Sequence, residues 1–219
     1  MSRRDNRQRR CDVCDMHNSL CICALEPRFT TRTQLILILH QAEKLKTTNT
    51  GRLALRCISP SRMIVRGNKE DHRLVIHWDP QTQPVFLFPH ADAKPLSDFA
   101  NYPKPISLIV PDGTWRQASK VRTRYQELKD VPVAVLPHVG DTQYRLRSAN
   151  RPGGLATAEA IARAMGILEG AHVQEAIEKV FRVMVDRTLY SRGRLTAAEV
   201  FGGVPDGVVQ HDPLSGSLT

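Results

Sequence analysis

The sequence predicts an α/β fold built on a mostly parallel sheet, and three observations point there. Thr33-Gln-Leu-Ile-Leu-Ile-Leu-His40 is a nearly continuous apolar run, the pattern of a central strand covered on both faces. Ile106-Ser-Leu-Ile-Val110 is a second run, short, β-branched and followed at once by a polar turn. Two helical stripes close the ordered part of the chain. Leu155, Ala158, Ala162, Met165 and Leu168 share one face, and so do Val173, Ala176, Ile177, Val180, Phe181 and Met184. Both stripes read as core.

The chain divides into a head at 1–30, a main domain at 31–201 and a loose tail at 202–219 rich in Gly, Pro, Asp and Ser. Met1 to Arg10 carries five arginines with no apolar core behind them, so it reads as a solvated arm touching phosphate and not as a signal peptide. No stretch approaches the ~20 apolar residues that cross a bilayer, and the cytoplasm is the expected compartment. With 31 Lys and Arg against 22 Asp and Glu, the net charge of +9 favours a polyanionic partner such as RNA. Cys11, Cys14, Cys21 and Cys23 cluster in the head, while the rest of the chain holds only Cys57, which reads as a buried thiol. In a reducing compartment such clustering suits a tetrahedral structural zinc; redox cysteines are the alternative.

After the run ending at His40, residues 41–51 are polar and make a poor helix but a good gripping loop; Gly51–Arg56 is a short helix. Strands are expected at Met63–Arg66, Leu74–Trp78, Val85–Phe88, Ile106–Val110 and Val131–Leu136, with turns at 79–84 and 89–104 where proline repeats. Arg116–Lys129, free of proline and glycine, reads as one helix with a basic outer side.

Open α/β sheets bind ligands beyond the carboxyl ends of their strands. Four loops occupy that position: 40–51, 88–91, 112–115 and 137–154. Asp112-Gly113-Thr114-Trp115 supplies an acid, a hydroxyl and an indole. It has two readings: a ligand site, or a helix start that Asp112 caps while Trp115 packs. The last loop offers Tyr144 for base stacking, and Arg145, Arg147 and Arg151 for phosphate or for a solvated face. No glycine-rich phosphate loop, Ser–His–Asp order or His-x-x-x-His pair is present.

These residues together resemble the DTW-domain proteins, named for the Asp-x-Thr-Trp that stands here at 112–115. The likeness takes in the four cysteines, His40 with Glu43 and Lys44, and Thr48-Asn49-Thr50-Gly51. It continues through Phe88-Pro89, Gln117-Ala118, Tyr144-Arg145-Leu146-Arg147 and Thr157-Ala158-Glu159-Ala160, in order from Cys11 to about Ala160. The resemblance implies a tRNA-uridine aminocarboxypropyltransferase. Such an enzyme moves the 3-amino-3-carboxypropyl group of S-adenosylmethionine to N3 of a tRNA uridine and releases methylthioadenosine. It also implies a fold similar to the SPOUT methyltransferases, knotted in its C-terminal half. Ala156 departs from the pattern: a serine there would form a capping box with Glu159, and its loss costs ~1 kcal/mol.

Under that resemblance Asp112 is the general base, or the acceptor that orients N3–H, with Thr114 and Trp115 beside it as catalytic candidates. Phe88, Pro89 and Leu136 would line the adenine pocket, and Arg145, Thr157 and Glu159 complete the cofactor site. Lys44, Arg116, Lys120, Arg122 and Arg147 would meet tRNA phosphates. A SPOUT-like RNA methyltransferase and a non-catalytic zinc-containing RNA-binding protein are the rivals, and the oligomeric state is left open.

Overall fold

The two apolar runs lie side by side at the centre of the molecule. The computed structural model describes residues 9–68, 74–137, 140, 142–146 and 153–208. Its strands are β1 (Phe29–His40), β2 (Ile58–Arg66), β3 (Gln83–Leu87), β4 (Lys94–Pro95), β5 (Ile106–Asp112) and β6 (Val133–Val135). They form one sheet in the order β2-β1-β5-β3-β6-β4, and every pairing is parallel. The helices are α1 (Gln41–Lys44), α2 (Gly51–Cys57), α3 (Trp115–Ala118), α4 (Val121–Arg124), α5 (Thr157–Glu169) and α6 (Ala171–Ser191).

Strand side chains alternate between faces, so a strand covered on both sides must be apolar throughout. Leu35 and Leu37 of β1, Val85 and Leu87 of β3, and Leu108 and Val110 of β5 face one core with α2, α5 and α6. Ile36, Ile38, Phe86 and Ile109 face the other, against Val121, Tyr125, Leu128 and Val131. All five side chains from Leu35 to Leu39 are fully buried, each contributing about 1.5–3 kcal/mol. Cys14, Met16, Leu20 and Ile22 of the head belong to the same core as α5 and α6.

Several expected elements differ in form. Leu74–Trp78 is not a strand. Its alternation is real, with Ile76 buried and Val75 exposed, but alternation reports burial and not ladder pairing. The helix expected at Arg116–Lys129 breaks into α3, α4 and a 3-10 turn at Gln126–Leu128. There the Ser119 hydroxyl donates to Arg116 O at 3.3 Å and the Thr123 hydroxyl to Lys120 O at 3.2 Å. Such local bonds compete with the helical ladder. The 41–51 loop contains one helical turn, α1, because His40 Nδ1 caps it by accepting from Ala42 N at 3.1 Å. The expected knot depends on the course of residues 138–152, and 138, 139, 141 and 147–152 lie outside the described residues. The arm at 1–8 and the tail from 209 onward lie outside them as well. Among the described residues no helix is long and apolar enough to cross a membrane.

α2 begins where β1 and β5 end, and its first residue has no room for a side chain. A Cβ on Gly51 would stand 2.6 Å from Asp112 Oδ2 and 2.9 Å from Leu37 Cδ2. Gly→Ala normally stabilises a helical residue. Here the sign reverses: Gly51→Ala lowers stability by about 1–3 kcal/mol. Urea denaturation measures it, and an unchanged or raised midpoint contradicts the close approach.

Candidate active site at the strand ends

Asp112 is the last residue of β5, and it is buried at 5% exposure. Its Oδ2 accepts from Asn49 Nδ2 at 2.7 Å, and its Oδ1 accepts from the Thr157 hydroxyl at 2.8 Å. One carboxylate therefore ties together the end of a central strand, the loop before α2 and the first residue of α5. The site suits a negative charge, because the start of α5 presents the positive end of its dipole.

The helix after the loop is capped by Thr114 and not by Asp112. Thr114 Oγ1 accepts from Gln117 N at 3.3 Å, while Gln117 Oε1 accepts from Thr114 N at 2.8 Å, a complete capping box. Gln117 Nε2 also lies 3.2 Å from His40 Nδ1, which locks the ends of β1 and β5 to each other. Trp115 is 39% exposed and leans on Phe88, ring centroids 5.4 Å apart.

Above the ends of β3, β5 and β6 lies a cavity of about 300 Å³. Phe88, Pro89, Trp115, Leu136 and Thr157 line it, together with Arg163. Of these, Arg163 carries no signal in the sequence, a lone cation on a helix marked by its apolar stripe. Asp112 is not among the described lining residues; it reaches the cavity through Thr157, whose hydroxyl it holds.

Glu159 and Arg145 are engaged elsewhere. Glu159 is buried and accepts from Ala156 N at 2.8 Å, Gln143 N at 2.6 Å and the Thr142 hydroxyl at 2.5 Å. It pins the 142–144 loop to the first turn of α5. Arg145 pairs with the buried carboxylate of Asp186, which also accepts from Phe201 N at 3.1 Å. Tyr144 is a core residue and not a base platform. Its ring stacks on Phe181, and its hydroxyl donates to Thr48 O at 2.9 Å. Ala156 leaves only the Glu159 half of a capping box. Thr50 Oγ1 replaces the missing acceptor from across the fold, taking Ala158 N at 3.1 Å. Asn49 and Thr50 were read as part of a polar gripping loop; what they grip is Asp112 and the start of α5.

Among the basic candidates, Lys44, Arg116 and Lys120 are exposed. Arg122 is half-buried, donates to Lys129 O at 2.8 Å and lines a second cavity with His90 and Phe88. Phe88 thus forms a wall of both cavities. Arg147 and Arg151 lie outside the described residues.

The four head cysteines converge. Cys11 and Cys23 sulfurs are 3.7 Å apart, as are Cys14 and Cys21, and all four Sγ atoms lie within 4.8 Å of one another. The group could hold a metal ion. Without a cation four thiolates cannot share so small a space. Accordingly burial pushes the Cys14 thiol up, and burial with the neighbouring thiols pushes the Cys23 thiol up as well. Bonds from the Cys14 and Val13 backbone bring Cys11 down to about 7. His17 stands apart, its Nδ1 2.6 Å from Ser19 Oγ. Buried Arg187 of α6 fastens the head, donating to Cys21 O at 2.8 Å. Arg56 of α2 adds a forked pair with Glu26 at 2.6–2.9 Å.

Comparison with known proteins identifies the family. A "tRNA-uridine aminocarboxypropyltransferase 2" of Drosophila melanogaster is 26% identical over 171 residues, covering 75% of this chain and 68% of its own. A "tRNA-uridine aminocarboxypropyltransferase A" of Arabidopsis thaliana is 26% identical over 215 residues, 82% of this chain and 81% of its own. A mouse protein, "tRNA-uridine aminocarboxypropyltransferase 2", is 29% identical over 175 residues, 74% and 57% respectively. No solved structure matches. The model of the DTW domain matches residues 8–189, including the head, the Asp112 loop and both long helices; the chain belongs to the DTW domain family.

Proposed function

We propose that this protein transfers the 3-amino-3-carboxypropyl group of S-adenosylmethionine to N3 of a tRNA uridine, releasing methylthioadenosine. The observation that carries the reading is the cavity over the strand ends, apolar along Phe88, Pro89 and Leu136 and edged by the Thr157 hydroxyl that Asp112 holds. The relatives' names supply the reaction. The cofactor's adenosine lies against Phe88, Pro89 and Leu136, with Trp115 available to stack on the target base.

The sulfonium is already a good leaving group, so the protein must supply alignment and an unprotonated N3. Alignment alone accounts for up to about 7–11 kcal/mol in favourable cases. Thr157 donates its proton to Asp112, which leaves its oxygen able to accept a hydrogen bond at the edge of the cavity. Uridine N3–H donates to that oxygen, and the Thr157 proton passes to Asp112 as N3 attacks. The N3–C bond forms, the C–S bond breaks, and the electron pair stays on sulfur. Thr114 holds the loop rigid through its cap. Glu159 and Arg145 act by position, fixing the 142–146 segment over α5. Exposed Lys44, Arg116 and Lys120, with Arg122 and Arg147, follow the tRNA backbone. The reaction takes place in the cytoplasm, where its substrates meet.

Zinc fits the head. Tetrahedral Zn–S bonds of about 2.3 Å put sulfurs about 3.8 Å apart, matching the two 3.7 Å separations. Four sulfurs leave no open position, so the metal would be structural and close the head at 1–30 on itself, while Arg187 and the Arg56–Glu26 pair join that head to the catalytic domain at 31–201, with 202–219 as a tail.

Incubation with unmodified tRNA and S-adenosylmethionine should yield uridine carrying the aminocarboxypropyl mass, together with methylthioadenosine. A methyl increment with S-adenosylhomocysteine would overturn the reaction. Asp112→Ala and Thr157→Val should each slow transfer about 10²–10⁴-fold without a matching loss of folded protein by circular dichroism. Transfer by Asp112→Ala at the wild-type rate removes Asp112 from the mechanism. For the head, elemental analysis should find one zinc per chain, and chelation should lower the melting temperature. A metal-free protein of unchanged melting temperature rules zinc out.

A further inference from the structure

One cation borders the cavity with part of its hydrogen-bonding capacity unmet. Arg163 is the one charged residue among the described residues that line it. Its side chain is only 12% exposed, and its Nη1 is buried with no hydrogen-bond partner among the described residues. Its nearest ion partner is weak: Nε lies 3.5 Å from Glu178 Oε1, and Glu178 is 35% exposed. A buried guanidinium with an idle N–H is costly unless something arrives to accept from it.

Arg163 lies six residues beyond Thr157 on α5, with Ala160 between them on the same wall. That is about 9 Å along the axis. Helical side chains lean back toward the N-terminus, which brings the guanidinium closer to the Thr157 hydroxyl. The two ends of this wall therefore offer an acceptor where the new bond forms and a planar donor fork deeper along the helix.

We propose that Arg163 binds the carboxylate of the transferred aminocarboxypropyl arm and so selects which carbon of the sulfonium faces the nucleophile. This rests on the reading of the cavity as the S-adenosylmethionine site. The carboxylate is the one anionic group of that molecule, and a guanidinium is the side chain best shaped to take it. Held at its far end, the arm presents its own methylene to N3 and turns the methyl group away. Arg145, spent on Asp186, is replaced in this role by a residue two turns into α5.

The test is titration of the full chain with two ligands that share the adenosine and the sulfur. S-adenosylmethionine carries the carboxylate; methylthioadenosine does not. Arg163→Met should weaken S-adenosylmethionine about 10- to 100-fold and leave methylthioadenosine within about two-fold of wild type. Arg163→Lys, which keeps the charge but not the fork, should fall between for S-adenosylmethionine. Arg163→Gln serves as the second variant if Arg163→Met melts early. Equal weakening of both ligands would make Arg163 a structural or adenosine contact, and no weakening of either would remove it from the site. Each outcome overturns the inference alone. A wild-type protein that binds neither ligand overturns the reading of the cavity as well.

Discussion

A carboxylate taken out of water must be met by donors, and the Asp112 carboxylate is met by two segments far from it in sequence. Asn49 comes from the loop before α2, and Thr157 from the start of α5. Neither bond forms unless β1 and β5 are adjacent and parallel, so that their carboxyl ends open on the same side of the sheet. A glycine at 51 leaves room for the first of them, because a Cβ there would stand 2.6 Å from Asp112 Oδ2. Removing either donor would leave the Asp112 carboxylate one hydrogen bond short, a cost of about 1–3 kcal/mol.

The same economy of donors runs through the start of α5. Its first N–H groups need acceptors, the chain supplies two of them from different places, and a third bond fixes the first side chain. Glu159 takes Ala156 N from within the helix, Thr50 takes Ala158 N from across the fold, and Asp112 binds the Thr157 side chain. Glu159 then extends the arrangement outward by collecting the 142–143 loop. A helix whose own N-cap is an alanine is thus held more firmly than its sequence suggests. The cost is offset by tertiary bonds, not by local ones. The outcome for function is a Thr157 hydroxyl of fixed orientation at the edge of an apolar cavity.

Much of this was legible in the residues, and the parts that were not share a cause. Runs such as Leu35–Leu39 announce a strand buried on both faces because period-two geometry leaves no polar alternative. The cysteine cluster is equally plain, since thiols rarely gather by chance. The short segments were misread. Arg116–Lys129 lacks breakers yet breaks after Ala118, where the Ser119 hydroxyl turns back to Arg116 O, and again after Arg124, a weak local effect that pattern alone does not rank. Leu74–Trp78 alternates without pairing. At the site, the loop bearing Asp112 was identified, but its partners were not, because hydrogen bonds between residues 63 and 45 positions apart leave no periodic trace. The attraction of Arg145 to Asp186 was hidden for the same reason. Arg163 was hidden by its setting, a single cation beside an apolar stripe.

The proposed reaction places the cofactor over the ends of β3, β5 and β6. A crystal structure of the protein with S-adenosylmethionine tests it most directly. The adenine should lie against Phe88 and Leu136, with the sulfonium end directed toward the Thr157 hydroxyl. Density for the ligand anywhere else, such as the second cavity beside His90 and Arg122, would contradict the assignment of the site and the role given to Asp112.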